Sequence, residues 1–487
     1  MTLRRWRLVS QIVFFLGWAA AFTRLGPTTL QRTWDTIYFR LDPLLGLLTM
    51  AAARTIITGM LPGLVFIVLT LVFGRVFCGW FCPLGTLIDF IGWLATPRRG
   101  SVRRSNLASL RPIKYGILTA LSIAALAGTQ FFLFFDPLVI LTRSTAVLLS
   151  PITRQHLIPD APHRVFESVL AIAMFFLAVI LPTLFFRRFW CRVLCPAGAL
   201  FGLLSRRALF RLELDDCNAC KKCMQVCRVG ILEEEMVVHP GQTECIRCFD
   251  CLEACRGHKI VYRPSLKPVP PRPDLSRRAF LGALAAGALS APLVGIDATG
   301  RGLFPPLIRP PHAHDEPAFL DLCLRCGACL EACPSNALQP LPLGSGLAGI
   351  WSPHLVPEIG ACLVDCKRCG AVCPTGAIRE VHSIGEKLSV KMGTAYFLPN
   401  KCMTARLESQ CGKCLTVCPT GAITAAANRF GLFPAAIDYL RCSGCGLCVN
   451  TCAEISPAGS ALLLTARGRN QPCRPVLSQD YAGWRYH

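Results

Sequence analysis

Of the 29 cysteines in this 487-residue chain, 28 stand in short patterns and only Cys473 stands apart. Six runs of four account for most of them: Cys217, Cys220, Cys223 and Cys227; Cys245, Cys248, Cys251 and Cys255; Cys323, Cys326, Cys329 and Cys333; Cys362, Cys366, Cys369 and Cys373; Cys402, Cys411, Cys414 and Cys418; Cys442, Cys445, Cys448 and Cys452. Four runs keep the spacing Cys-x2-Cys-x2-Cys-x3-Cys, and those starting at Cys362 and Cys402 depart from it only at their first cysteine. Thiolates are soft iron ligands, and this spacing is that of ferredoxin-type 4Fe–4S ligands. The 24 thiolates suffice for six 4Fe–4S clusters. In two-cluster ferredoxins the fourth cysteine of each run serves the other cluster. That predicts Cys217, Cys220, Cys223 and Cys255 on one centre, and Cys245, Cys248, Cys251 and Cys227 on the other. For the last four runs the spacing leaves the exchange open: neighbours pair, or outer pairs with outer and inner with inner. Structural zinc is the rival, but zinc knuckles use two cysteine pairs rather than runs of four closed by Cys-Pro. The closing proline is missing after Cys227, Cys255 and Cys452, where Arg228, Arg256 and Ala453 stand. An arginine there would raise a cluster's potential by favouring the reduced form.

The other four cysteines form two Cys-x3-Cys-Pro corners, Cys78 with Cys82 and Cys191 with Cys195. Spacing i and i+4 puts each pair on one face of a helical turn. Together they would hold a further metal cluster or work as a dithiol relay; alternatively they are structural corners, with proline ending the helix. Other redox groups lack their signatures. No Cys-x2-Cys-His attaches a c-type haem, no histidine lies inside the long apolar runs to hold a b haem, and no Gly-x-Gly-x-x-Gly marks a flavin or NAD site. No independent substrate site is evident, and electrons are expected to travel by iron–sulfur alone.

The elements that must position these residues are apolar. Hydrophobic residues make up 53% of the chain, charged residues only 16%, and mean hydropathy is +0.46. Apolar runs cover residues 8–23, 55–74, 115–135 and 165–186, each near the length that crosses a bilayer. The net charge of +22 would also suit nucleic acid, but the arginines flank the apolar runs as membrane loops do. Sixteen lysines and arginines on one side against seven on the other predict a cytoplasmic N-terminus. Leu41-Asp42-Pro43-Leu44 matches Phe135-Asp136-Pro137-Leu138, just as the two cysteine corners match each other, so a two-helix unit occurs twice. Asp42 and Asp136 are candidate proton acceptors or, equally, helix caps before proline.

The fold class expected is a membrane α-helical domain, four helices from two two-helix repeats with a fifth as an alternative, joined to α+β ferredoxin-like 4Fe–4S domains. Four regions follow: a four-span domain over 1–211, a cytoplasmic two-cluster ferredoxin over 212–263, a proline-rich linker with an apolar segment over 264–300, and a periplasmic four-cluster domain over 301–487. Within the linker, Ser276-Arg277-Arg278-Ala279-Phe280-Leu281 reads as a twin-arginine export signal, or as the positive flank of a fifth helix. The expected location is the inner membrane, multi-pass, with the chain's two ends on opposite sides.

These motifs resemble a known family. Residues 1–263 are similar in plan to NapH, and residues 274–455 to NapG, the ferredoxin-type subunits of a quinol dehydrogenase; MauN and MauM share the two designs. The cysteine motifs also occur in NosR- and CcoG-like proteins. The resemblance implies a NapH–NapG fusion that oxidises quinol from the membrane quinone pool. It would pass electrons to a periplasmic redox partner, a c-type cytochrome or a reductase of the nitrate reductase kind. It equally admits an electron-donating assembly or maturation factor for a metalloenzyme. No nucleic-acid partner is implied.

Overall fold

The protein was analysed as a computed structural model, which describes residues 3–23, 36–95, 110–128, 130, 135–157, 164–214, 220, 222–230, 243–255, 257, 259–265, 278, 281–282, 285, 288, 307–342, 349–456 and 459–474. The chain divides into two units. One comprises Met1–Thr145 with Leu170–Val294, the other Ala146–Val169 with Gly295–His487.

The expected four-span membrane domain is overturned. Among the described residues no helix is long and apolar enough to cross a membrane. The apolar runs are there, but glycine and proline break them. The run at 55–74 starts as a 3-10 turn, Thr58–Gly63, with Pro62 inside it. It continues as the ten-residue helix Leu64–Phe73, which stops at Gly74 with φ of +83°. The run at 115–135 gives the 15-residue helix Pro112–Leu126, closed at Ala127 and Gly128. The run at 165–186 gives the 12-residue helix Val169–Ile180 before Pro182 opens a new short one. At 1.5 Å per residue these reach roughly 15–23 Å, against a hydrocarbon core of about 30 Å. The first helix, Leu3–Thr23, is 21 residues long, but its first three turns carry Arg4, Arg5, Arg7 and Gln11, and Arg7 and Gln11 are buried.

The multi-pass inner-membrane location and its two-sided orientation fall with the spans. The cations used to orient the chain are in part not loop charges at all. Arg7, Arg75, Lys114 and Arg188 are buried. Arg75 pairs with Glu244 at 3.0 Å and Arg188 with Asp89 at 2.7 Å. They neutralise carboxylates inside the first unit. Leu8, Val13 and Leu16 of the first helix, Val65 and Val68 of the next, and Leu170 and Leu177 of another remain exposed, as apolar interaction faces do. Arg278 and Leu281 are described, whereas Ser276, Arg277, Ala279, Phe280 and most of the fifth-helix segment lie outside the described residues.

The repeat survives as local geometry. Asp42 caps the helix Pro43–Ala53, its Oδ1 accepting the N–H groups of Leu44 at 2.9 Å and Leu45 at 3.4 Å. Asp136 caps Pro137–Ser144 in the same way, through Leu138 at 2.9 Å and Val139 at 3.3 Å. Proline at the first helical position suits this, since its missing N–H has no partner to lose there.

The first unit also contains the first ferredoxin segment. Strand Phe210–Leu214 pairs antiparallel with Ile260–Pro264, Phe210 opposite Pro264 and Leu214 opposite Ile260. Between them lie the short helices Lys222–Val226 and Asp250–Ala254. Leu212, Phe249 and Ile260 form a core against which Trp80 and Tyr262 pack.

In the second unit the described strands form three two-stranded antiparallel sheets: Leu338–Pro340 with Pro353–Leu355, Thr394–Phe397 with Leu462–Thr465, and Ile423–Asn428 with Gly431–Ile437. Short helices such as Ala328–Ala332 and Leu447–Ile455 stand between them. The segment Ala146–Val169 is tied in by side chains. Arg164 donates to the Cys333 carbonyl at 2.7 Å, and Ser168 to that of Pro340 at 3.0 Å.

Candidate iron–sulfur sites

Four of the cysteine runs curl because residues beside the second cysteine adopt left-handed backbone angles. Arg247 and Phe249 do so around Cys248, Arg325 and Gly327 around Cys326, and Gly444 and Gly446 around Cys445. Gly412, after Cys411, has the same conformation. Curled in this way, successive N–H groups point into the loop and favour negative charge. The N–H two residues on donates to sulfur in each case: Arg325 to Cys323, Ala328 to Cys326, Gly444 to Cys442, Leu447 to Cys445, Asp250 to Cys248 and Arg368 to Cys366. The third cysteine of each run then lies in the first turn of a short helix, as Cys329 does in Ala328–Ala332 and Cys414 in Lys413–Thr416.

Three cavities in the second unit show which cysteines come together. Cys323, Cys326 and Cys329 line one of about 420 Å³ with Cys373. Cys402, Cys411 and Cys414 line one of about 460 Å³ with Cys452. Cys442, Cys445 and Cys448 line one of about 330 Å³ with Cys418. The remaining set is complementary: Cys366 and Cys369 both lie in the electrostatic reach of Cys362 and of Cys333. Neighbouring runs therefore trade their fourth cysteines, which the spacing had left open. In the first unit Cys251 likewise has Cys245, Cys248 and Cys227 around it. Cys217 lies outside the described residues.

The donors fit a cluster. Burial pushes the thiols of Cys248, Cys326 and Cys445 up to about 12, so they give up their protons only when a cation takes the charge. A lone zinc ion would need its sulfurs about 2.3 Å from one point. The cysteines ring cavities instead. The fourth cysteines have their own support: the hydroxyls of Ser335, Thr375 and Thr420 lie 3.7–3.9 Å from the sulfurs of Cys333, Cys373 and Cys418. Where the proline after Cys452 is missing, the Ala461 N–H donates to the sulfur at 3.2 Å. After Cys227, Arg228 donates to Asp250 at 2.6 Å and lies 3.2 Å from Asp89.

Comparison with known proteins now gives the class. A 4Fe-4S binding domain model matches residues 55–101 and 168–213. Two 4Fe-4S dicluster domain models match 209–256 and, in three overlapping placements, 322–377, 361–422 and 409–455. Ferredoxin-type protein NapG of Escherichia coli (strain K12) is 32% identical over 211 residues, 40% of this chain and 88% of that protein. The chain belongs to the NapH/NapG family of ferredoxin-type proteins. Ferredoxin-type protein NapH of the same organism is 28% identical over 271 residues, 52% of this chain and 86% of that protein. The methylamine utilization ferredoxin-type protein MauN of Paracoccus denitrificans (strain Pd 1222) is 28% identical over 179 residues, 36% of this chain and 55% of that one. No solved structure matches. The family members found support a NapH–NapG-like fusion, a 4Fe–4S electron-transfer protein.

Sequence reasoning counted Arg7, Arg75, Lys114 and Arg188 as loop charges and missed the carboxylates they face. Asp89 faces Arg188, Arg228 and Arg7. Burial alone would raise its carboxyl, but Arg188, with the other two, brings it down to about 2. Glu244, beside Cys245, is likewise brought down to about 2 by Lys114 and Arg75 against the effect of burial. Lys387 donates to the carbonyls of Leu363, Val364 and Cys366 under the second unit's second run. One signal was available: Arg75 and Arg188 both stand three residues before the first cysteine of a corner.

Proposed function

We propose that this protein accepts electrons from a quinol and passes them through six 4Fe–4S centres to a partner redox enzyme. The ligand sets are Cys217, Cys220, Cys223 and Cys255; Cys245, Cys248, Cys251 and Cys227; Cys323, Cys326, Cys329 and Cys373; Cys362, Cys366, Cys369 and Cys333; Cys402, Cys411, Cys414 and Cys452; and Cys442, Cys445, Cys448 and Cys418. The observation that carries the reading is the exchange of fourth cysteines between neighbouring runs, the arrangement of two-cluster ferredoxins. When bound, each centre supplies one-electron chemistry; the chain orients the sulfurs and offers N–H groups to them.

The donor is supported by an open cleft in the first unit. Ile88 and Trp93 give it an apolar side, and Asp89, Arg187, Arg228 and Asp250 a polar one. Arg187 donates to the Cys227 carbonyl at 3.2 Å, and Asp250 precedes Cys251 in the chain. An apolar ring with polar oxygens suits such walls, and it would stand beside a cluster loop.

The test is anaerobic: iron and sulfide analysis of the purified full chain, then EPR after addition of a short-chain quinol. Signals of reduced 4Fe–4S centres are expected with quinol as with dithionite. Reduction by dithionite alone rejects the quinol donor, and a colourless zinc protein rejects the whole reading.

A further inference from the structure

The ferredoxin runs leave over four cysteines, those of the two corners. In the first, Cys78 lies in the π-helical turn Phe77–Phe81 and Cys82 just before helix Pro83–Ala95. In the second, Cys191 lies in helix Phe189–Val193 and Cys195 caps Pro196–Ser205. The corners are built alike. The sulfur of Cys82 accepts the Gly85 N–H at 3.3 Å, and that of Cys195 accepts the Gly198 N–H at 3.3 Å.

A buried guanidinium crosses from each repeat into the other. Arg188 donates to the carbonyls of Cys78 at 3.0 Å and Gly85 at 3.4 Å. Arg75 Nη2 lies 3.9 Å from the Cys78 sulfur, and a Cβ built on Gly198 would be 2.9 Å from that same nitrogen. Cys82 and Cys195 each lie in the electrostatic reach of both Cys78 and Cys191. The four sulfurs therefore share one neighbourhood, with a cation from each repeat.

The surrounding charge is not balanced by carboxylates. Glu244 faces two cations, Arg75 and Lys114. Asp89 and Asp250 face four, Arg4, Arg7, Arg188 and Arg228. Positive charge exceeds negative by one around Glu244 and by two around Asp89 and Asp250. An oxidised 4Fe–4S centre on four thiolates carries about −2, which would offset most of that excess.

We propose that Cys78, Cys82, Cys191 and Cys195 ligate a further 4Fe–4S centre shared between the two repeats, with Arg75 and Arg188 as positioning residues that hold its charge. The proposal rests on the reading of the ferredoxin runs as cluster sites. Its neighbour would be the centre of Cys245, Cys248, Cys251 and Cys227, because Cys78 packs against Cys227, Val229, Ile246 and Cys248. Gly79 sits on that loop so closely that a Cβ would fall 2.1 Å from the Ile246 oxygen, and Trp80 donates to the Arg247 carbonyl at 2.9 Å. One electron passes between the two centres, one oxidised by one as the other is reduced, with no bond made or broken.

Iron and sulfide are measured on the full chain and on its Cys78→Ala and Cys191→Ala variants, with EPR of the reduced proteins. Each variant is expected to lose about four irons and one reducible centre, since each 4Fe–4S centre holds four. The difference is readable whatever the total, so a shortfall in the ferredoxin sites would count against those sites alone. Unchanged iron in both variants overturns the proposal, as does zinc lost in its place. If an alanine variant sheds more iron than one centre holds, Cys195→Ser decides, because serine oxygen still binds iron: altered EPR of a single centre supports the site, and an unaltered spectrum refutes it. Arg75→Lys is expected to keep its iron but shift the midpoint potential of one centre; no shift removes Arg75 from its positioning role.

Discussion

If neighbouring runs exchange their fourth cysteines, pairs of substitutions must combine in a way that sequence order does not suggest. Cys373 belongs to the run Cys362, Cys366 and Cys369 by position, but lines the cavity of Cys323, Cys326 and Cys329. Removing one of four thiolates from a cubane leaves an iron without its protein ligand, so Cys373→Ala should cost a whole centre, about four irons per chain. Adding Cys323→Ala strikes the same centre again, and the loss should stay near four. Adding Cys362→Ala strikes a second centre, and the loss should rise to about eight. Ligation within each run predicts the reverse: about eight with Cys323→Ala and about four with Cys362→Ala. The partner cysteine gives an independent check, because Cys333 lies with Cys366 and Cys369. Cys333→Ala with Cys366→Ala should again lose only one centre. The assay is iron and acid-labile sulfide per chain on anaerobically purified protein, with circular dichroism to confirm that the variant is folded. Losses of eight and four, in that order, would refute the exchange.

Asp89→Asn should destabilise the full chain by about 3–5 kcal/mol, since it leaves the buried Arg188 facing no carboxylate there; thermal or denaturant unfolding measures it. The Asp89 carboxyl is depressed when folded, so its contribution is complete above the unfolded value and is lost as pH falls through about 4 toward 2. The gap between wild type and the variant should therefore begin to close below about pH 4, and a constant gap would deny the ion pair. Asp42→Asn and Asp136→Asn should keep both stability and quinol oxidation, because asparagine caps as well as aspartate, whereas alanine should cost about 1 kcal/mol at each. A large drop in quinol oxidation with folded asparagine variants would restore a proton role. Gly79→Ala should part the first corner from the Ile246 loop, seen as slower reduction of the ferredoxin centres by quinol in stopped-flow spectra.

The cysteine runs were legible because their ligand geometry is local: a curled loop and one helical turn fix three sulfurs from adjacent residues. The fourth sulfur was legible only where two runs stand alone. With four runs in the second unit, long-range strand pairs such as Thr394–Phe397 with Leu462–Thr465 decide which loops meet, and no spacing within a run encodes that. The helix caps at Asp42 and Asp136 could be read from Asp-Pro. The spans could not, because hydropathy averages over a window and takes no account of where the helix stops. Gly74, Gly128 and Pro182 end their helices by backbone conformation, not by polarity.

The same residues explain why the charge pattern pointed the wrong way. A count of arginines in a sequence treats each as a surface charge, and cysteines as neutral. Here Arg75, Arg188, Lys114 and Arg7 are buried within the first unit, and Arg247 and Arg325 lie buried inside cysteine loops. A buried cation persists only where a negative partner stands near it. The carboxylates supply part of that partner, and the proposed clusters would add to it. Six oxidised centres at about −2 each would bring roughly −12 to a chain whose formal charge is +22. The basic composition would then be in part a counter-charge to iron–sulfur. It also sets a direction for chemistry, since cations beside a cluster favour its reduced, more negative form. Replacing such a cation by a neutral residue of similar shape should lower the potential of the nearest centre and leave distant ones unmoved.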